Sequence, residues 1–189
     1  SLVIVAANLF IYIQTKDFGF ILDDIPLIVN SEDEISKLSN VGDFFLKEYW
    51  DKKTVAFFHY YRPLIKTANA LNYRVDGLNP SAFHLFNVFV HILNTLMLFY
   101  LLAKILNSIE NAFFIVFFFS IHPLAVPTVA WISGRTDLLA LFFMLPALIL
   151  FYHYLNVNKT ISLVLSAVFY LLAMFSKEGA IFLPAVMVY

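Results

Sequence analysis

The sequence contains no cysteine and few charged residues. The absence of cysteine excludes disulfides, thiol catalysis and thiolate zinc sites, and it removes any redox argument about compartment. Charged residues make up 13% of the chain, the net charge is −1 and the lysines are scattered, so no nucleic-acid partner is expected. What remains is apolar, because 61% of the 189 residues are hydrophobic and the mean hydropathy is +0.82. This composition predicts that lipid surrounds most of the chain.

The few charges are unevenly distributed. Of the 12 basic and 13 acidic residues, 18 fall in 1–82, and the other seven separate apolar runs at positions where helices should end. The chain begins at Ser1, beside one apolar run, and stops inside another, 181–189. We therefore expect a piece of a longer polypeptide.

The apolar runs predict an all-α integral membrane domain that occupies 1–189. A spanning helix needs about 20 apolar residues. About six candidate spans satisfy or approach this length, namely 2–13, 83–106, 112–132, 138–155, 161–175 and 180–189. The first and last are expected to be truncated. The fifth is short, and we expect it to continue to Lys177 by snorkelling of that side chain.

Alternation of the spans predicts a polar face and a bare face. Consecutive spans cross in opposite directions, so the connections 14–82, 122–137 and 176–178 should lie on one side of the membrane, here called the polar face. Only two short connections, 104–110 and 156–159, fall on the other side. Lysine and arginine are too few to fix the orientation.

The long connection 14–82 has amphipathic patterns that predict short helices. In 41–50, aromatic residues alternate with charged ones. In 63–75, apolar residues recur at helical spacing behind Pro63, which suits a first helical turn. Both segments are expected to lie in the membrane interface.

The connection 14–82 also contains two candidate functional groups. Adjacent carboxylates such as Asp23 and Asp24 repel each other, which favours a general base; a helix-capping or solvated pair is the alternative. A divalent metal such as Mg²⁺ is a further alternative, since it takes one or two carboxylates together with substrate phosphate. Arg62 is a planar cation among aromatics, suited to a lipid phosphate or to general headgroup anchoring.

The second predicted span carries polar residues along one face. His84, Asn87, His91 and Asn94 follow a spacing of three, four and three residues. Such side chains join helices in membranes, and His84 and Asn87 are alternatively placed to line a cavity at the polar face.

The remaining candidates lie in the other connections of the polar face. His122-Pro123 should interrupt the third span. A proline break frees backbone polar groups, which are tolerated at membrane depth only against protein or a wet cavity. Ionisable groups at the membrane boundary are functional candidates. They are Arg135, Asp137, Lys177 and Glu178. Salt-bridged helix ends, Arg135 with Asp137 and Lys177 with Glu178, are the alternative.

The order of these motifs resembles the membrane domain of the transmembrane and tetratricopeptide repeat proteins, which are O-mannosyltransferases of the GT-C fold, and of their prokaryotic relatives. The resemblance covers almost the whole chain. It rests on Asp23-Asp24, Tyr60-Tyr61-Arg62-Pro63-Leu64, Leu71-Asn72-Tyr73, Gly77-Leu78-Asn79-Pro80, Phe83-His84-Leu85-Phe86-Asn87, His122-Pro123, Ala130-Trp131-Ile132-Ser133-Gly134-Arg135-Thr136-Asp137-Leu138-Leu139-Ala140 and Ser176-Lys177-Glu178.

The resemblance implies an inverting glycosyltransferase that uses a polyprenyl-phosphate sugar, dolichyl-phosphate mannose in eukaryotic members, at the periplasmic or lumenal face. It implies that Asp23 or Asp24 is the base and that Arg62 contacts the donor phosphate. The chain departs from the family pattern at Ala125 and Pro127, where relatives commonly carry a histidine and a glutamate. No acceptor or metal role is carried over to those two positions.

We therefore predict transfer of a mannose-like sugar to a protein or glycan acceptor. Arg62, with Arg135 or Lys177, would neutralise the departing phosphate. The other cavity candidates are His84, Asn87, His122, Asp137 and Glu178. The rival hypotheses are a non-catalytic membrane scaffold, a transporter, and a transferase of the same fold with a lipid or glycan acceptor. A transporter should have a polar path to both faces, whereas the polar seam of the second span fades after Asn94 and Thr95.

Overall fold

The computed structural model describes residues 1–49 and 60–188, and throughout these ranges the regular structure is helical. The α-helices of five or more residues are α1 Leu2–Tyr12, α2 Pro63–Asp76, α3 Pro80–Ile105, α4 Ile109–Ser120, α5 Val126–Ala130, α6 Arg135–Val157, α7 Thr160–Ser176 and α8 Leu183–Val188. The other helical turns, which have three to five residues, are Ile13–Asp17, Ile25–Val29, Glu32–Ile35, Leu38–Asn40, Val41–Phe44, Pro123–Ala125, Ile132–Gly134 and Glu178–Phe182. The predicted all-α fold class is confirmed at this level.

Two helices are long and apolar enough to cross a membrane: Pro80–Ile105 and Ile132–Val157. A third span results if Ile109–Ser120 and Pro123–Ala130 together make one crossing, with a bend of 56° between them. Thr160–Ser176 is apolar but shorter. The structure thus supports a membrane protein with two or three spans among the described residues, and the count of six stays a prediction.

Within the predicted third span, 112–132, α4 ends at Ser120 and the chain bends before the helical segment Pro123–Ala130, so a crossing by the two parts together stays a prediction. Pro123 lacks the N–H that an α-helix would use, and it opens a 3₁₀ turn instead. His122 Nδ1 accepts a hydrogen bond from the N–H of Leu124 at 3.2 Å and so caps that turn. The interruption predicted at His122-Pro123 is therefore confirmed.

The predicted spans 83–106 and 138–155 correspond to α3 and α6, each of which begins about one turn earlier than expected. In α3 the reason is local, since Pro80 occupies the first turn and Asn79 Oδ1 accepts from the N–H of Ser81 at 3.1 Å. The end of the connection 14–82 thus contributes the cap of α3.

The two amphipathic predictions in the long connection have different outcomes. The predicted helix 63–75 is present as α2, which stops where Gly77 adopts a φ of 59°. The predicted helix 41–50 is present only over Val41–Phe44, where the helical turn ends. Its last predicted residue, Trp50, lies outside the described residues, as does Tyr189 of the last predicted span. Phe44 is fully buried, so it packs into the protein core. The interfacial position of both segments stays a prediction.

The centre of the fold is α3, which packs against α1, α4, α5 and α6. Its polar side chains join these neighbours. Asn87 Nδ2 donates to the carbonyl oxygen of Trp131 at 3.1 Å, and Asn94 Nδ2 donates to that of Leu138 at 2.9 Å. His91 Nε2 lies 3.0 Å from the carbonyl oxygen of Ser120. The packing interpretation of this seam is therefore confirmed for three of its four residues.

A close approach fixes the segment between α5 and α6. A Cβ added at Gly134 would lie 2.5 Å from the carbonyl oxygen of Pro127 and 3.0 Å from Thr128 Cα, both backbone atoms that cannot rotate away. We expect Gly134→Ala to lower the free energy of unfolding by about 1–3 kcal/mol, the usual cost of overpacking. Thermal unfolding of the purified protein measures this change. Gly19→Ala is the control, because nothing lies within 4 Å of its added Cβ; equal losses in both variants would contradict the prediction.

Candidate active site

The three connections predicted to share the polar face meet in the structure. Asp24 of the first contacts Ser133 of the second, Arg62 of the first contacts Glu178 of the third, and Lys177 of the third contacts Asp137. The contacts among the three connections agree with this prediction, while their position on one side of the membrane stays a prediction. Residues more than 100 positions apart in sequence thereby form one site.

Asp24 is buried, and its carboxylate is hydrogen-bonded within the protein. Its side chain is fully buried, and Oδ1 accepts from the N–H of Ser133 at 2.8 Å and from its Oγ at 2.5 Å. Oδ2 accepts from the N–H of Ile21 at 3.0 Å. Both carboxylate oxygens are therefore engaged, and Asp24 ties the first connection to the second.

Asp23 has a different environment. Leu22 adopts a φ of 48°, a left-handed conformation that costs a non-glycine residue about 1–2 kcal/mol and that reverses the chain just before the acidic pair. While Asp24 turns inward, Asp23 is partly exposed and lines a cavity of about 310 Å³, which we call the charged cavity. The other polar or charged side chains at its wall include Arg62, Thr128, Trp131, Thr136, Asp137 and Lys177.

Arg62 is held rigidly at the charged cavity. Its Nε donates to Glu178 Oε2 at 3.0 Å and a terminal nitrogen donates to Oε1 at 2.5 Å, a bidentate pair. The guanidinium carbon lies 4.5 Å from the ring centroid of Tyr60 and 5.4 Å from that of Tyr49, within cation–π range. The hydrogen bond from Arg62 lowers the pKa of Glu178, and it outweighs the opposing effect of partial burial.

Lys177 and Asp137 form the second ion pair at this cavity, with Nζ and Oδ1 separated by 2.5 Å. The local pairs offered as an alternative, Lys177 with Glu178 and Arg135 with Asp137, are wrong. Lys177 has an extended backbone (φ −156°, ψ 136°), so it and Glu178 point in different directions. Positions two apart on a helix, such as 135 and 137, likewise do not face each other.

A second and larger cavity adjoins the first. Its volume is about 740 Å³, and its wall is mostly apolar, with Phe118, Leu141 and Met144 among its residues. We call it the apolar cavity. His91 and His122 line it too, and it shares Thr128, Asp137 and Lys177 with the charged cavity. One lysine therefore lies where a polar space and an apolar space meet.

Arg135, a predicted phosphate-binding residue, lines neither cavity. Its side chain is 1% exposed. One terminal nitrogen donates to Asn69 Oδ1 at 2.8 Å and to Asn72 Oδ1 at 2.7 Å, the other donates to the carbonyl oxygen of Phe83 at 3.0 Å, and Nε donates to that of Ile132 at 3.2 Å. Arg135 thus joins α2, α3 and α6 beneath the site.

His84 and Asn87 also lie away from the two cavities. His84 is buried, with its ring edge-on to Phe18 at a centroid distance of 6.1 Å. Neither ring nitrogen of His84 has a hydrogen-bond partner among the described residues. Asn87 is fully buried, and its amide donates to the carbonyl oxygen of Trp131. The structure therefore brings together Asp23, Arg62, Asp137, Lys177 and Glu178, with His122 in the adjoining cavity.

The described residues do not fit a divalent metal. No group of three or more histidine and acidic side chains within 1–49 and 60–188 is arranged to hold one. Of the acidic pair, Asp24 has both oxygens occupied by hydrogen-bond donors, and only Asp23 faces a cavity.

Sequence reasoning missed several residues that hold the predicted site residues in place. Ser133 anchors Asp24, and Asn69 and Asn72 hold Arg135. A signal was available for the asparagines, since two polar residues three positions apart fall on one face of α2. Nothing in the sequence indicated the partner of Ser133.

The chain is similar in sequence to several proteins that are named protein O-mannosyl-transferases. Human protein O-mannosyl-transferase TMTC1 is 32% identical over 137 residues, which are 71% of this chain and 16% of that protein. Drosophila melanogaster protein O-mannosyl-transferase Tmtc1 is 27% identical over 173 residues, 90% of this chain and 20% of that protein. Mouse protein O-mannosyl-transferase TMTC2 is 32% identical over 151 residues, 78% of this chain and 18% of that protein.

The chain therefore spans a fifth or less of the length of these three relatives. No protein-family model matches it, and no solved structure does. The predicted resemblance is nevertheless confirmed, because the matches cover most of the chain and their names agree. The chain is a TMTC-like membrane protein, a relative of the protein O-mannosyl-transferases of that name.

Proposed function

We propose that this chain forms the donor-binding and catalytic part of a membrane glycosyltransferase. The enzyme transfers a mannose-like sugar from a polyprenyl-phosphate donor to a hydroxyl of a protein or glycan on the extracytoplasmic side. The observation that carries the proposal is the charged cavity, where Asp23 and Asp137 lie with two cations, Arg62 and Lys177, beside an apolar cavity. The names of the relatives support a sugar donor and a protein acceptor.

The arrangement supports an inverting displacement in one step. Asp23 accepts the proton of the acceptor hydroxyl as its oxygen bonds to the anomeric carbon. The bond between that carbon and the phosphate oxygen breaks on the opposite side of the sugar, and the polyprenyl phosphate leaves with the electron pair. Arg62 and Lys177 stabilise the charge that develops on the phosphate.

The two cavities suit the two parts of such a donor. Their volumes, about 310 and 740 Å³, fall in the range of small-molecule sites. Lys177 lines both cavities, so a phosphate bound there would have the sugar on the charged side and the prenyl chain on the apolar side. The wider proposal includes a GT-C-type bundle of about six spans, with 14–82 as an extracytoplasmic connection.

Arg62→Ala tests the donor assignment. We expect it to raise the KM for the donor at least tenfold, because a hydrogen bond between charged groups, such as the guanidinium and the donor phosphate, contributes about 1.5–3 kcal/mol to binding. The measurement is a transfer assay of the intact protein in membranes with a panel of defined polyprenyl-phosphate sugars, which also identifies the sugar. Arg74→Ala, at an exposed position in the last turn of α2, is the matched control. An unchanged donor KM in Arg62→Ala would refute the assignment.

A further inference from the structure

Both cations of the charged cavity already have carboxylate partners. Arg62 pairs with Glu178, and Lys177 pairs with Asp137. A carboxylate presents two oxygens to a guanidinium much as a phosphate does. The two acids therefore occupy the bonding positions that a donor phosphate would need.

In both pairs the carboxylate side chain is more exposed to solvent than the cation. The side chains of Arg62 and Lys177 are 12% and 32% exposed, whereas those of Glu178 and Asp137 are 53% and 51% exposed. The cations thus lie on the protein side of each pair and the acids on the water side. An arriving anion can displace either acid into solvent at little desolvation cost while the cation stays in place.

The charge of the site also favours such an exchange. Asp23, Asp137 and Glu178 oppose only Arg62 and Lys177, so the group has a net charge of −1. An anionic phosphate would be repelled from this group if both acids kept their positions. Outward movement of one acid removes the repulsion and frees a cation.

The backbone connects the two pairs. Lys177, which is extended, and Glu178, which begins the next helical turn, are adjacent residues, and they reach partners on two different parts of the fold, Asp137 of α6 and Arg62 just before α2. Release of one pair therefore loosens the segment that holds the other.

We propose that Glu178 and Asp137 are positioning residues that exchange with the phosphate. They hold Arg62 and Lys177 in the empty site, give way to the donor phosphate, and take the cations back when the polyprenyl phosphate product leaves. The proposal rests on the proposed function. The product is a phosphate monoester that can carry a second negative charge, so it binds the cations more strongly than the donor does and needs a competing anion to release it.

Glu178→Gln tests the exchange. The probe is a short-chain polyprenyl phosphate, and its binding to the intact protein in lipid nanodiscs is measured directly. We expect Glu178→Gln to bind the probe on the order of tenfold more tightly, since the competing charge is gone, and to show a lower kcat that is limited by product release. Glu178→Asp, which keeps the charge, should restore the weaker binding and the faster turnover.

A purely structural brace predicts the opposite, because loss of the pair would then disorder Arg62 and weaken the binding of the probe. Unchanged or weaker binding in Glu178→Gln overturns the exchange. Glu34→Gln is the control, since Glu34 forms ion pairs with Lys47 and Lys66 outside both cavities. Arg62→Ala separates the two proposals: if it leaves probe binding unchanged, the donor site itself is refuted, whereas weaker binding in Arg62→Ala without tighter binding in Glu178→Gln refutes only the exchange.

Discussion

Asp23→Asn is expected to reduce sugar transfer by about 10²–10⁴-fold, the usual contribution of a general base, and to leave the protein folded. Asparagine has nearly the shape of aspartate but cannot take up the proton of the acceptor hydroxyl. Asp23 is partly exposed at the wall of the charged cavity, so its neutralisation should have little effect on packing. The measurement is the initial rate at saturating donor and acceptor, together with the thermal unfolding midpoint.

Asp24→Asn is the matched control, because it makes the same chemical change at the adjacent residue. The N–H groups of Ile21 and Ser133 both donate to Asp24. The side-chain NH₂ of asparagine would face one of these two donors and could not accept its hydrogen bond. We expect a loss of about 1–3 kcal/mol in the free energy of unfolding, the cost of unsatisfied buried polar groups. Full activity in Asp23→Asn, together with a folded but inactive Asp24→Asn, would reverse the two roles.

The positions of the main helices and the meeting of the three polar connections were predictable from the sequence. Apolar runs of sufficient length gave the positions of α3 and α6 within about one turn. Proline chemistry located the interruption at His122-Pro123. The meeting of the three polar connections followed from the alternation of the spans, and the contact between Arg62 and Glu178 bears it out. These features follow either from residues that are close together in the sequence or from the order of the segments along the chain.

The roles of individual charged residues were not predictable in the same way. Asp23 and Asp24 are chemically identical, and only the positive φ of Leu22 and the position of Ser133 give them different environments. Arg62 and Lys177 have partners on other elements of the fold. The sequence favours nearest neighbours as partners, because it contains no information about distances between segments that are far apart along the chain.

Arg135 shows this limit most clearly. From sequence it is a cation at the membrane boundary, and such residues are functional candidates by default. In the structure it is 1% exposed, its guanidinium carbon lies 5.2 Å from the ring centroids of both Phe83 and Phe86, and its hydrogen bonds go to neutral oxygens. The asparagines that accept these bonds come from α2, more than 60 residues earlier. Its environment is fixed by packing rather than by its own sequence motif.

The buried position of Arg135 gives the largest stability effect that we expect. Arg135→Met keeps an unbranched side chain but leaves the buried oxygens of Asn69, Asn72 and Phe83 without a donor. Each unsatisfied group costs about 1–3 kcal/mol, so the free energy of unfolding should fall by about 3–5 kcal/mol. Denaturant unfolding of the purified protein in detergent measures the loss.

Arg135→Lys distinguishes this structural role from donor binding. Lysine keeps the charge but cannot reproduce the planar fork that reaches both asparagines and the carbonyl oxygen of Phe83. We expect a clear loss of stability with a donor KM close to that of the wild type, because Arg135 lines neither cavity. An unchanged unfolding free energy with a raised donor KM would instead assign Arg135 to the phosphate. Parallel measurement of Arg62→Lys supplies the contrast, since there the KM should rise while stability changes little: the guanidinium of Arg62 joins an exposed carboxylate at the cavity rather than buried oxygens in the core.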